Sequence, residues 1–167
     1  MLFLLRRAFP PRGSLFALAA LVAVAAAVTC GPAAAMGPTP DDPPAKVEDP
    51  DLERAVGLIW VEEYAEAEPL LRASLKRDPA NADAWNYLGF VSRKLEDFDD
   101  ARQAYFNALR LDPGHLKAME YLGELYLQTG EPEQARELLE RMAPLCGAVC
   151  EERDTLAAAI AAHGAAD

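Results

Sequence analysis

Cysteines and histidines are the residues of this 167-residue chain with the most distinctive chemistry. Cys146 and Cys150 lie four positions apart, and Pro144 and Gly147 predict a break in helical structure around them. Two thiols in so short a turn can form a disulfide, which would contribute about 2 kcal/mol to stability. We expect a structural disulfide, and a redox-active pair or a metal site remain the alternatives.

Catalytic groupings are much harder to find. His115 and His163 are the only histidines, and the sequence contains no glycine-rich phosphate loop and no nucleophile elbow. The net charge of −11 argues against nucleic-acid binding, which needs clustered Lys and Arg. The sequence therefore predicts no enzyme activity, no metal, no cofactor and no small-molecule substrate.

The first 35 residues have the layout of an export signal. Arg6, Arg7 and Arg12 precede the apolar run 15–28, and three alanines end at Ala35. The apolar run is shorter than the roughly 20 residues that span a bilayer as a helix. We expect cleavage after Ala35, and residues 36–50, rich in Pro and Asp, to form an extended linker.

Two features of this leader leave alternatives open. The pair Arg6-Arg7 resembles the core of a twin-arginine signal, so export by either the general or the twin-arginine route fits. Cys30 is a possible lipidation site, although Leu is missing three residues before it. The protein is expected to be exported, with a lipid-anchored form as the alternative.

A period of 34 residues governs the rest of the chain. Asp78-Pro79 recurs as Asp112-Pro113, where proline stops a helix, and alanine recurs at position 67 and at each later step of the period. Small residues allow two helix axes to approach closely, and larger residues spaced by three and four positions fill the space around them. The residues predicted to pack within repeats are Trp85, Leu88, Gly89, Ala101, Tyr105, Ala108, Pro113, Leu122, Gly123 and Ala135.

These residues at this period resemble the tetratricopeptide-repeat family. The resemblance implies an all-α fold, a right-handed α-solenoid of about three helix-turn-helix repeats near 48–81, 82–115 and 116–147. A capping helix and tail would occupy 148–167. The Cys-x-x-x-Cys-Glu-Glu segment from Cys146 also resembles small exported repeat proteins of Gram-negative bacteria, which implies the periplasm as the location.

Solenoids of this family generally present the first helix of each repeat to a peptide or helix of a partner. We therefore predict a non-catalytic scaffold for protein binding. A self-associating oligomer and a redox adaptor using the cysteine pair are the alternatives. For the rings of Tyr87 and Phe90, packing against the neighbouring repeat is the alternative to a ligand contact. The residues predicted to line the partner-binding groove, as the positions left free by packing between helices, are Asn86, Tyr87, Phe90, Arg93, Lys94, Lys117, Glu120, Tyr121, Glu124 and Gln128.

Overall fold

The computed structural model describes residues 49–165, and these form seven α-helices without a strand. The predicted leader at 1–35, its Cys30 and most of the linker at 36–50 lie outside the described residues. The helices are α1 (Pro50–Trp60), α2 (Tyr64–Arg77), α3 (Ala82–Lys94), α4 (Phe98–Leu111), α5 (Leu116–Gln128), α6 (Pro132–Met142) and α7 (Glu151–Gly164).

Local sequence signals account for where these helices begin and end. The side chain of Asn81 accepts a hydrogen bond from a backbone amide in the first turn of α3, and that of Asp97 does the same for α4. Pro132 is the first residue of α6, where its missing amide hydrogen costs nothing. Asp78 and Asp112 cap the C-terminal ends of α2 and α4, as the two Asp-Pro pairs predict.

The turns inside the three helix pairs share one backbone feature. Glu62, Glu96 and Gly130 each have a positive φ, of 62°, 64° and 77°, and they are spaced by the 34-residue period. Each turn is therefore the same structure repeated three times. Only the third of them carries the glycine that this conformation favours.

Helices α1, α3 and α5 form an inner row in which each contacts the next, whereas α2, α4 and α6 form an outer row. Within residues 49–165, the backbones of the outer-row helices do not approach one another closely, although Arg72 of α2 forms an ion pair with Asp100 of α4. Each outer helix packs instead on the inner helix of its own pair, and α2 and α4 also pack on the inner helix of the next pair. An inner row packed more tightly than the outer row makes α1, α3 and α5 the concave side of the stack, and the predicted all-α solenoid is confirmed.

Two clusters of buried side chains form the core, and the half-buried Trp85 packs against both. The predicted packing residues are buried apart from Trp85 and Pro113, which is exposed in the turn after α4. Tyr105, Leu71 and Met119 are among the largest fully buried side chains. Hydrophobic burial by the periodic residues therefore holds the pairs together.

The two packing glycines have different neighbours, which corrects one prediction. A Cβ atom on Gly89 would lie 2.6 Å from the ring of Tyr105, so this glycine does lie against the second helix of its own repeat. A Cβ atom on Gly123 would instead lie 2.5 Å from Leu156. Because α7 supplies Leu156, the side chain that lies nearest to Gly123 belongs to the capping helix.

Candidate functional site

The inner row of helices lines a pocket of about 520 Å³. Residues from α1, α3 and α5 converge on it, together with Tyr64 at the start of α2. Trp60, at the end of α1, is 83% exposed, so a large apolar surface faces solvent beside the pocket. The aromatic side chains of the lining are Trp60, Tyr64, Tyr87, Phe90 and Tyr121.

Three of these rings form a continuous row across the helix pairs. The Phe90 ring lies 6.0 Å from Tyr64 in an edge-to-face arrangement and 5.0 Å from Tyr121 in a tilted one. Such pairs prefer offset or edge contacts because the ring face is negative and the edge positive. The row links all three repeats and gives the pocket a rigid apolar wall.

Arg93 lies behind this row rather than in the pocket. Its guanidinium carbon is 5.6 Å from the Phe90 ring centre and 5.8 Å from that of Tyr121, and its side chain forms an ion pair with Glu124 at 2.7 Å. Only 7% of Arg93 is exposed. The charge of Arg93 is therefore matched inside the protein, and the residue orders the aromatic rings.

Lys94 and Lys117 bring positive charge to the pocket lining. The ammonium of Lys94 lies 5.4 Å from the Phe90 ring centre, and that of Lys117 lies 5.5 Å from the Tyr121 ring centre. Lys117 also donates a hydrogen bond to Glu120 at 2.8 Å. Burial is the largest single influence and lowers the pKa of Lys117. The hydrogen bond to Glu120 and the charges of Glu120, Tyr121 and Glu152 together outweigh burial, so the pKa is raised.

Glu120, the partner of Lys117, is itself buried. Burial disfavours its charged form and raises its pKa above the ordinary range, although Lys117 acts in the opposite direction. Its carboxylate is therefore part of the internal support of α5.

The side chain of Asn86 offers a hydrogen-bonding group in the pocket. Asn86 is buried in the pocket lining, and its carbonyl oxygen has no hydrogen-bond partner among the described residues. A buried acceptor without a partner costs free energy, which a donor from a bound molecule would recover. A backbone N–H of a peptide is such a donor.

His115 and Asp83 form the polar end of the pocket. The ring Nδ1 of His115 accepts a hydrogen bond from the amide of Ala118, so the ring hydrogen is on Nε2. This Nε2 lies 3.2 Å from a carboxylate oxygen of Asp83. The contact ties the start of α5 to the start of α3.

Six of the ten residues predicted for the groove line the pocket. They are Asn86, Tyr87, Phe90, Lys94, Lys117 and Tyr121. The remaining four, Arg93, Glu120, Glu124 and Gln128, are not in its lining. The expectation that the ten positions are free of packing is wrong for Asn86, Arg93 and Glu120, which are buried. Spacing along a helix does not reveal that a polar side chain will be covered by the next repeat.

The pocket also contains residues that the sequence analysis missed. Trp60 precedes Lys94 by one 34-residue period, and Val56 precedes Phe90 by the same interval. Extending the groove register into the first repeat would therefore have found both. Asp83 likewise precedes Lys117 by one period, whereas His115 gave no such signal because it caps the start of α5. The missed lining residues are Val56, Ile59, Trp60, Glu62, Tyr64, Asp83 and His115.

The predicted cysteine bridge is present elsewhere in the molecule. Cys146 and Cys150 are joined at an S–S distance of 2.06 Å, in the segment between α6 and α7. Within residues 49–165, no cluster of three or more His, Cys, Asp or Glu is placed to hold a metal ion. None of the seven helices there is both long and apolar enough to cross a bilayer.

Helix pairs in a curved stack with an aromatic inner pocket define the class of repeat proteins called α-solenoids. Two family models described as tetratricopeptide repeat match residues 70–103 and 93–145. Over residues 70–145 the chain is therefore similar to tetratricopeptide repeats, and its all-α fold is that of such repeats.

Known proteins share parts of this chain. A tetratricopeptide repeat-containing protein, trd-1, of Caenorhabditis elegans is 31% identical over 83 residues, which are 50% of this chain and 11% of that protein. The Yersinia enterocolitica secretion chaperone SycD, in complex with a peptide of the translocator YopD, has a TM-score of 0.62 at 18% identity, over 70% of this chain and 91% of SycD. The first repeat domain of Spaghetti (RPAP3), bound to an HSP90 peptide, has a TM-score of 0.60 at 20% identity, over 68% of this chain and 90% of that domain. The chain thus spans a small part of its curated relative and nearly all of these two solved domains.

Proposed function

We propose that this protein is a non-catalytic scaffold that binds an extended peptide or a helix of a partner protein in the inner pocket. The observation that carries the proposal is the pocket of about 520 Å³ lined by five aromatic side chains, beside which the amide oxygen of Asn86 is buried without a partner among residues 49–165. The aromatic row accepts apolar side chains, and Asn86 accepts a backbone N–H. Lys94 and Lys117 favour a ligand that also carries acidic groups.

The fold neighbours support the same use of the pocket. SycD and the Spaghetti domain have similar folds and are solved with peptides bound. Their sequences are too distant to carry over any ligand, so the pocket chemistry decides the class of partner. Here that class is a peptide with an aromatic or aliphatic anchor and a nearby carboxylate.

The test uses a double variant whose two residues are exposed, so that folding is preserved. Trp60→Ala with Lys94→Glu removes the apolar rim and reverses one charge of the pocket. Arg54→Glu is the matched control, because Arg54 is exposed on α1 and lies outside the pocket lining. Mature protein immobilised on beads is incubated with periplasmic extract of its host, and retained proteins are quantified by mass spectrometry.

The expected result is one or a few proteins retained by the wild type and by Arg54→Glu but lost with the double variant. Retention of every partner by the double variant would show that the inner pocket is not the binding site. Light scattering on the same samples addresses the self-association alternative. A dimer that dissociates in the double variant would replace partner binding by an oligomeric role.

The periplasm of a Gram-negative bacterium is the proposed location. The support for it is the arginine-rich, apolar leader before Ala35 and the cysteine bridge, since disulfides persist in oxidising compartments. Intact mass under non-reducing conditions tests the location on protein from the native host. We expect the mass of residues 36–167 less two hydrogens. A lipid on Cys30 would instead place the protein on a membrane, and two alkylated thiols would favour the redox adaptor.

A further inference from the structure

The outer row of helices leaves two shallow cavities on the side opposite the inner pocket. The first, of about 240 Å³, is lined by α2 and α3. The second, of about 310 Å³, is lined by α4, α5 and α6. In each of them an inner helix forms the floor, because the backbones of neighbouring outer helices lie apart.

The two cavities occupy equivalent places in successive repeats. Leu75 and Leu88 line the first cavity, and Leu109 and Leu122, each 34 positions later, line the second. We call this pair of cavities the outer grooves. Their apolar floors lie one repeat apart, so a single elongated ligand can reach both.

Each outer groove also carries a cation at the same repeat position. Lys76 lines the first, and Arg110, one period later, lines the second together with Arg141. Among residues 49–165, none of these three forms an ion pair. By contrast, Arg72, the other cation of the first groove, is paired with Glu68 and Asp100.

Five Lys and Arg side chains among residues 49–165 lack an ion pair, and three of them, Lys76, Arg110 and Arg141, lie in the outer grooves of a protein whose formal net charge is −11. Three of them beside two apolar floors form a local positive surface on an acidic molecule. Glu137 is the one carboxylate in the lining of the second groove, and no acid lines the first. Phe106, at the rim of the second groove, is 45% exposed and adds apolar contact area.

We propose that the outer grooves bind an acidic amphipathic segment of a partner protein. Apolar side chains of that segment occupy the two cavities, and its carboxylates pair with Lys76 and with the fork of Arg110. Charge complementarity selects this occupant, since unpaired cations beside a basic or purely apolar ligand would be left without partners. The surface is separate from the inner pocket and binds independently of it.

The two tryptophans provide a direct test, because each lies in a different surface. Trp85 lines the first outer groove, and Trp60 lines the inner pocket. The mature protein is labelled with 5-fluorotryptophan, so that its ¹⁹F NMR spectrum has one signal per tryptophan. The probe is a synthetic 16-residue amphipathic peptide of Leu and Glu, and its counterpart with every Glu replaced by Lys is the control.

We expect the acidic peptide to shift the Trp85 signal saturably, whether or not the Trp60 signal also moves through separate binding to the inner pocket. Lys76→Glu with Arg110→Glu should weaken binding about tenfold or more, because two attractive contacts become repulsive. Arg54→Glu makes the same kind of charge change on another helix and should bind like the wild type. The Trp60 and Lys94 double variant should also bind normally, which separates this surface from the inner pocket.

Three results would overturn the proposal. One is a shift of the Trp60 signal alone, and another is unchanged affinity in the Lys76 and Arg110 double variant. The third is a concentration-dependent shift of Trp85 without peptide, accompanied by a dimer in light scattering. That last result would show that a second copy of the chain covers the outer grooves.

Discussion

The second and third helix pairs place a glycine at the same repeat position and fill the space above it differently. The ring of Tyr105, from the second helix of the same pair, packs over Gly89. Leu156, which comes from α7, packs over Gly123. Leu139, one period after Tyr105, is smaller than tyrosine and only partly buried. An interior repeat is thus completed by its own motif, whereas the last repeat depends on a residue outside it.

Removing the side chains above the two glycines, Tyr105 and Leu156, should have the largest effects on stability. Tyr105→Ala should lower the free energy of unfolding by about 4 kcal/mol and Leu156→Ala by about 3 kcal/mol, because both side chains are fully buried. Urea titration followed by circular dichroism measures both losses.

Hydrogen exchange then separates the two sites. Tyr105→Ala should reduce protection in all helix pairs, while Leu156→Ala should reduce it first in α7 and α5. A uniform loss in Leu156→Ala would show that the cap and the central repeat are one cooperative unit.

Substitution of the two glycines compares the two repeats more directly, and we expect it to lower the free energy of unfolding by a smaller amount. Gly89→Ala should cost about 2 kcal/mol, because its new methyl group would overlap the rigid Tyr105 ring. Gly123→Ala should cost less, since the branched end of Leu156 can move. Adding Leu156→Val to Gly123→Ala should recover part of the loss, and thermal melts of the single and double variants measure this coupling. Equal costs at the two glycines would contradict the difference between interior and terminal repeats.

Removal of the disulfide should act on the terminal region alone. Cys146→Ser with Cys150→Ser should cost about 2 kcal/mol, because the short closed loop restricts the unfolded chain. Exchange protection should fall in α7 and stay unchanged in α3 and α4. The single variant Cys146→Ser under reducing conditions is the control. Loss of protection in α3 of the double variant would mean that the disulfide supports the whole stack.

The smallest effect concerns the other end of the stack. Asp49 caps α1, and the hydroxyl of Ser74, the amide of Leu52 and Arg77 together hold its pKa below the ordinary 3.8, against the opposing effect of burial. Since the folded-state pKa is the lower one, its ionised form stabilises the fold above pH 4, and this contribution disappears as the pH falls through the folded-state value.

Asp49→Asn should therefore cost about 1 kcal/mol at pH 7 and almost nothing at pH 2, because asparagine caps a helix as well as aspartate and only the charged hydrogen bonds are lost. Urea titrations at both pH values measure the difference. Ser74→Ala serves as the comparison, because it removes the strongest partner of Asp49 and leaves the carboxylate in place. An equal cost of Asp49→Asn at both pH values would contradict the assignment.

Prediction from sequence worked where the determining forces are local or periodic. The two Asp-Pro pairs, Gly89 and the cysteine turn all have the predicted consequences in the structure. Six of the ten groove residues line the pocket for the same reason, since helical spacing sets which face they share. The buried positions of Arg93 and Glu120 were missed, because a polar residue on an exposed helical face and one covered by a neighbouring repeat have the same sequence pattern.

The amino-acid sequence by itself determined the period, the helix ends and the all-α solenoid, because these depend on backbone chemistry and on hydrophobic residues at fixed intervals. Only the tertiary structure decided that Leu156 completes the last repeat, that Arg93 lies behind a row of aromatic rings and that Asn86 has a free acceptor in the pocket. The reason is the curvature of the stack. It brings the inner helices together and spreads the outer ones, and so decides which side chains are covered and which remain open to a partner.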